Sequence, residues 1–86
     1  MEITLPVIHL NGTGAKTLLE DNVAASEAIR NALSVIHKVE FHSRDYYPND
    51  SWEKARKEYL DRIRALQEAQ NYFMEVAFHA SKHIKN

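Results

Sequence analysis

The sequence predicts an all-α fold: an antiparallel hairpin of two long helices behind an extended N-terminal arm. Three observations lead to this prediction. The 86 residues include only two glycines and two prolines. These four residues interrupt the chain at three places only, at Pro6, at Gly12 to Gly14 and at Pro48. Between the interruptions, apolar residues recur at steps of three and four, the spacing of one helix face. We therefore expect a single domain over residues 1–86.

The arm and its turn are predicted to span residues 1–13. Ile3, Thr4 and Val7 are β-branched and Pro6 blocks a helix, so this segment favours extended backbone. Its apolar composition predicts that it packs on the protein. We expect it to lie over the far end of the second helix, near Phe78 and Ile84.

The first helix is predicted over residues 14–39, with Thr13 as its N-cap. Asn22 interrupts an otherwise apolar stripe on this helix. The stripe consists of Leu18, Ala25, Ile29, Ala32, Leu33 and Ile36. A stripe of this kind predicts one face that packs on a partner helix.

The second helix is predicted over residues 51–84, after a loop at 40–50. Asp50 and Glu53 provide an Asp-x-x-Glu helix start just after Pro48. The helix should be roughly 50 Å long at 1.5 Å per residue. Its stripe is Trp52, Ala55, Tyr59, Ile63, Leu66, Gln70, Phe73, Ala77, Ala80 and Ile84.

Two helices alone leave one side of each apolar stripe in water. A chain of this size is expected to bury only about 60% of its unfolded surface, so a monomer would be marginally stable. Two hairpins that pack into a four-helix bundle enclose both stripes. The sequence therefore predicts a homo-oligomer, either a dimeric four-helix bundle or a higher assembly.

Charge and composition narrow the class of partner. Eleven basic and twelve acidic residues give a net charge of -1, which provides no long-range field for DNA, RNA or an anionic membrane. No apolar run approaches the ~20 residues that span a bilayer. The absence of cysteine favours a reducing compartment. We expect a cytoplasmic protein with no membrane partner and no nucleic acid as its main partner.

The loop contains the strongest candidate binding residues, Arg44, Asp45, Tyr46 and Tyr47. The tyrosine rings and nearby Trp52 can stack on a base. The arginine can bind a phosphate, and Asp45 can hydrogen-bond to the edge of a base or a sugar. In the alternative interpretation, Arg44 and Asp45 pair or cap helix ends while the tyrosines pack over the bundle tip. Arg44 and Tyr46 lie outside both stripes, so alanine at either is expected to change stability by less than about 1 kcal/mol.

A second candidate is the turn Asn11-Gly12-Thr13 at the start of the first helix. Its backbone N–H groups can hold an anion, although plain capping and chain reversal explain the same residues. In an antiparallel dimer, this turn and the loop of the other subunit could meet in one pocket.

Residues suited to catalysis are few. The chain has no cysteine nucleophile and no carboxylate pair with an evident apolar pocket, so we expect no enzyme activity. Glu75, His79 and His83 share one helix face at a spacing that can hold a metal. An exposed face near a chain end explains them as well, and we expect no required metal or cofactor.

The motifs His9-Leu-Asn-Gly-Thr13 and Arg44-Asp-Tyr-Tyr-Pro48 resemble those of a family of small proteins encoded by phages and prophages. The resemblance covers nearly the whole chain and implies a phage accessory protein in the bacterial cytoplasm. In size and architecture the chain also resembles compact helical phage proteins that sequester nucleotide alarm signals of bacterial defence systems.

These expectations combine into one functional hypothesis with two alternatives. The first is an anti-defence binding protein that captures a small phosphate-bearing nucleotide signal without catalysis, through Asn11, Gly12, Thr13 and the 44–47 segment. The second is an interaction module that inhibits a host protein through the same loop. The third is a structural bundle of the virion or packaging machinery.

Overall fold

The computed structural model describes residues 2–8, 14–48 and 50–84. Helix α1 spans Ala15–Ile36, a short 3₁₀ helix spans Ser43–Tyr46, and helix α2 spans Trp52–Ser81. The two long helices pack against each other as a hairpin, and the described residues contain no strand. The predicted all-helical hairpin is therefore confirmed.

Helix α1 is shorter than the predicted range 14–39. Its N-cap is Gly14, in extended conformation at φ -65° and ψ 153°, whereas Thr13 lies outside the described residues. At the other end the N–H of Val39 donates to the carbonyl of Ile36 at 2.9 Å, a three-residue bond. Bonds of this type tighten and end an α-helix, so the residues after Ile36 form a turn.

Helix α2 is also shorter than the predicted range 51–84. Ser51, rather than Asp50, is the N-cap, and its side chain makes no capping hydrogen bond. At the far end, the N–H groups of Lys82 and His83 donate to carbonyls three residues earlier, at 3.3 and 3.0 Å. The chain therefore leaves the α-helix after Ser81 by the same tightening that ends α1.

The core between the helices is small. Its buried apolar residues are Leu33, Ile63, Val76, Ala77 and Ala80. The stripe predicted for α2 is buried or half-buried along its length except at Ile84, which is exposed. On α1 the stripe is wrong at two positions: Ala32 is exposed, and Ser26 is buried. Ser26 precedes Leu33 by two turns and so shares its face, whereas Ala32 is rotated about 100° to the side.

The arm meets α2 at His79. The imidazole Nε2–H of His79 donates to the carbonyl of Pro6 at 2.8 Å, in a part-buried contact. The arm therefore lies near the far end of α2, as predicted, although Phe78 stays 59% exposed and Ile84 38% exposed. Consecutive helix residues point about 100° apart, so an arm seated on His79 does not cover Phe78.

The Cα trace is a thin rod, 61 Å long, 24 Å wide and 16 Å thick. Its radius of gyration is 18.3 Å, against about 12 Å for a compact domain of this length. Its accessible surface is 7037 Å², against about 5,200 Å² for a typical folded chain of the same mass. The hairpin is thus a single layer of helices with about 1,800 Å² of surface in excess of a compact domain.

Charged side chains cover the outer faces of both helices. On α2, Lys57 donates a hydrogen bond to the Asp61 carboxylate at 2.8 Å, and Arg64 lies 3.5 Å from the same group. The hydrogen bond from Lys57 is the main cause that lowers the pKa of Asp61. No helix within the described ranges is long and apolar enough to cross a membrane.

Leu33 and Val35 offer a matched test of this core, because they lie two residues apart on α1 with 8% and 63% of their surface exposed. Leu33→Ala should lower the free energy of unfolding by about 2–4 kcal/mol through lost burial and the cavity left behind. Val35→Ala should change it by less than about 0.5 kcal/mol. Urea unfolding followed by circular dichroism measures both, and equal losses would contradict the observed helix face.

Gly14 is a cap position that a better residue can fill. The first turn of α1 has no acidic residue, and a Cβ at Gly14 would meet no atom within 4 Å. The carboxylate introduced by Gly14→Asp can accept hydrogen bonds from the free N–H groups of the first turn. Its negative charge also interacts favourably with the positive end of the helix dipole. We expect the Gly14→Asp variant to exceed Gly14→Ala in unfolding free energy by about 1 kcal/mol. Equal stability in thermal unfolding would show that this helix end needs no cap.

Candidate functional site

The tip of the hairpin is organised around the ring of Phe41. This ring stacks on Tyr59 with centroids 4.5 Å apart and lies 4.9 Å from Trp52. Tyr46 meets Phe41 edge-on at 5.9 Å and Trp52 at 5.8 Å. Aromatic pairs in such geometries add about 0.5–1.5 kcal/mol each beyond their buried area. The four rings, named here the aromatic cluster, tie the connecting loop to the first two turns of α2.

His42 fixes the start of the short 3₁₀ helix. Its Nδ1 accepts from the backbone N–H of Arg44 at 3.2 Å, and its carbonyl accepts from the N–H of Asp45 at 3.1 Å. The N–H of Tyr47 then donates to the carbonyl of Arg44 at 3.3 Å. This chain of local bonds gives residues 43–47 a defined backbone in place of an open loop.

A pocket of about 370 Å³ opens beside the aromatic cluster. Its lining residues are Ser43, Arg44, Tyr46, Tyr47 and Trp52. The volume lies within the range of roughly 300–1,000 Å³ typical of small-molecule sites. Trp52 is the first residue of α2, so the free N–H groups of that helix start lie at the same end of the hairpin.

Arg44 is the cationic group of the pocket. Its side chain is exposed and forms no ion pair with any side chain in residues 2–8, 14–48 and 50–84. One interpretation of the sequence expected Arg44 to pair with its neighbour Asp45. The two side chains form no ion pair with each other. The guanidinium therefore keeps its donors available for an anion.

The structure brings together part of the predicted site. Arg44, Tyr46 and Tyr47 line one pocket, and Asp45 lies beside it without lining it. Asn11, Gly12 and Thr13 lie outside the described residues, so their role stays a prediction. Sequence reasoning missed Phe41. A signal for Phe41 existed: Trp52 and Tyr59 lie seven residues apart on one face of α2 and leave room for a ring from the loop.

Tyr46 corrects one expectation about the loop. It was expected to lie outside the packed parts of the protein, yet its side chain is half-buried against Phe41 and Trp52. Tyr47, in contrast, is 83% exposed. Within this pair of tyrosines, the first packs in the aromatic cluster and the second is presented to solvent.

The histidines at the opposite end of the hairpin contact backbone carbonyls. His79 bonds to Pro6, and His83 Nδ1 lies 3.0 Å from the carbonyl of His79. Glu75, the third residue of the sequence pattern, is exposed on the same helix. No group of three metal-ligating side chains that could hold an ion is found in the part of the chain that the structure describes.

Comparisons with protein-family models, with curated proteins and with solved structures found no match to this chain. The resemblance to phage-encoded proteins therefore stays a prediction, based on the two motifs in the sequence.

Alanine is expected to affect stability at Tyr46 far more than at Tyr47. Tyr46→Ala removes a ring from the aromatic cluster and should lower the free energy of unfolding by about 1–2 kcal/mol. Tyr47→Ala should change it by less than about 0.5 kcal/mol because that ring is mostly in water. Tyr46→Phe, which keeps the ring, is the control and should retain most of the stability. If Tyr46→Ala melted like the wild type, the cluster would not hold the loop.

Proposed function

We propose that this chain is a non-catalytic binding protein that captures a small phosphate-bearing nucleotide at the tip of the hairpin. The observation that carries the proposal is Arg44, an exposed guanidinium free of ion pairs among the described residues, in the same pocket as three aromatic side chains. A nucleotide presents the complementary chemistry, namely anionic phosphate beside a flat base.

Each group in the pocket has a role in this proposal. Arg44 binds the phosphate, assisted by the positive end of α2. Tyr47, whose ring faces water, stacks on the base, and such stacking contributes about 1–3 kcal/mol per base. Tyr46 and Trp52 form the packed wall against which the ligand rests. The turn at Asn11, Gly12 and Thr13 supplies further polar contacts, from a second subunit of the homo-oligomer.

The biological setting follows from the sequence resemblance. A phage accessory protein that holds a nucleotide alarm signal removes it from the host's defence and needs no turnover to do so. The absence of an evident nucleophile or acid pair in the sequence suits such sequestration, and so does a bacterial cytoplasmic location, where these signals are made.

Binding is tested by a thermal-shift screen of the purified chain against cyclic and linear nucleotides. A ligand present at 100 times its dissociation constant should stabilise the fold by roughly 2.7 kcal/mol. Arg44→Gln should weaken the binding of that ligand about tenfold or more. It should leave the stability of the fold unchanged, because the Arg44 side chain is exposed and forms no ion pair among the described residues. Arg30→Gln, on the exposed face of α1, is the matched control and should bind like the wild type.

A second function is supported by the same exposed pair. Arginine and tyrosine dominate the energetically important positions of protein interfaces, and Tyr47 is 83% exposed at the extreme of the hairpin. If the tip docks on a host protein, no nucleotide will stabilise the chain, and Arg44→Gln and Tyr47→Ala will each abolish capture of one host protein that the wild type retains. If a nucleotide raises the melting temperature of the wild type and Arg44→Gln removes that rise, the result supports nucleotide capture over docking on a host protein.

A further inference from the structure

Helix α2 carries a second stripe that does not face α1. Its members recur at steps of seven, four, three and four, and all of them are exposed. They are Leu60, Gln67, Asn71, Met74 and Phe78, named here the lateral stripe. Leu60, Met74 and Phe78 expose 41%, 50% and 59% of their surface. Large apolar side chains in line along a helix indicate a surface that packs on another molecule.

The charges of α2 are divided along its length. Residues 52–64 contain five basic and three acidic side chains, whereas residues 65–81 contain Glu68 and Glu75 and no lysine or arginine. The first half of the helix is therefore positive and the second half negative. Two copies of α2 that lie side by side attract each other when antiparallel and repel each other when parallel.

The lateral stripe is also nearly symmetric about Gln67. Leu60 precedes Gln67 by seven residues and Met74 follows it by seven, so a two-fold axis at Gln67 sets Leu60 of one copy against the partner's Met74. Along one flank of the stripe lie Lys57, Arg64, Glu68 and Glu75, together with Asp61, which pairs with Lys57 and Arg64 within the chain. The same axis brings Lys57 beside the partner's Glu75 and Arg64 beside the partner's Glu68, to within about 3 Å along the helix.

We propose that the lateral stripe is the interface of a two-fold homodimer in which the α2 helices of two copies pack antiparallel about Gln67. Apolar contacts along the stripe and ion pairs along its flank would then occur twice, once on each side of the axis. The proposal concerns a face of α2 that does not line the pocket, and its test does not depend on which ligand binds at the tip.

The surface of the hairpin is large enough for such an interface. The chain exposes about 1,800 Å² more than a compact domain of its mass, and a stable interface of standard size takes about 800 Å² from each partner. A second hairpin laid along α2 would also add a layer to a molecule whose Cα trace is only 16 Å thick, as stable domains require.

The decisive test is a charge exchange between Lys57 and Glu75. These residues are 18 positions apart, about 27 Å along one helix, and so cannot contact each other within one chain. Lys57→Glu or Glu75→Lys alone replaces two attractive pairs per dimer with two repulsive ones, and Lys57→Glu also removes the bond to Asp61 within each chain. Each should raise the dimer dissociation constant about tenfold. The double variant K57E/E75K restores attraction and should return the constant to within about threefold of the wild type.

Sedimentation equilibrium of the whole chain over a range of concentrations measures these constants. The control is the pair Arg62→Glu with Glu75→Lys, because Arg62 lies on the opposite side of α2 from the lateral stripe and should not compensate. A wild type that stays monomeric at high micromolar concentration would overturn the proposal. So would a dimer in which the effects of Lys57→Glu and Glu75→Lys merely add, because that pattern indicates a parallel arrangement or another face.

A second comparison tests the apolar part of the interface. Phe78→Ser and Val35→Ser each replace an apolar side chain that is about 60% exposed, the first in the lateral stripe and the second on α1. Phe78→Ser should weaken the dimer at least tenfold, and Val35→Ser should leave it within about twofold. Equal effects of the two substitutions on the dissociation constant would place the interface elsewhere.

Discussion

The structure depends on one constraint: two helices that pack only on each other form a single layer. Each helix has one neighbouring helix, so a side chain rotated away from the seam between them stays in contact with water unless the arm or the loop covers it. This explains why just five apolar residues are buried among those described, and why none of the large side chains is fully buried. The hydrophobic gain of such a layer is small compared with that of a domain of two layers. Whatever else the protein does, its surface retains apolar side chains that are still available for contact.

The hairpin meets this constraint differently at its two ends. Toward the end of α2, Ala77 and Ala80 are almost fully buried, and small side chains of this kind allow close backbone approach. The arm adds cover there through the bond between Pro6 and His79. At the tip, where the chain reverses, large rings fill the space: Phe41 stacks on Tyr59 and holds the loop against α2. At the tip, therefore, aromatic rings and local hydrogen bonds hold the backbone in place. They do so without a large buried core.

The sequence predicts the helices and most of their packed faces because helical periodicity is a local property. The stripe of α2 from Trp52 to Ala80 appears as expected. Helix ends were less predictable, since the three-residue bonds after Ile36 and Ser81 follow from local geometry that composition does not mark. The burial of Tyr46 agrees with the alternative interpretation of the loop, but it does not follow from helical spacing. It depends on Phe41, which is placed by Tyr59, a residue 18 positions further along the chain. Long-range packing of this kind decides which loop residues support the fold and which remain free.

At the tip, the residues that hold the fold differ from those that meet the solvent. Phe41 and Tyr59 pack, whereas Arg44 and Tyr47 are exposed, so the second pair can interact with a ligand at little cost to stability. The proposed antiparallel dimer has a consequence for this site. It sets the two pockets about 45 Å apart along the helix axes, because Trp52 lies 15 residues from Gln67 in each copy. No direct electrostatic coupling acts over that distance at physiological ionic strength, where charges are screened within about 8 Å. Two pockets in this arrangement would therefore bind ligand as separate sites. Each would lie close to the arm of the other subunit, so its affinity would depend on that arm and not on the second pocket.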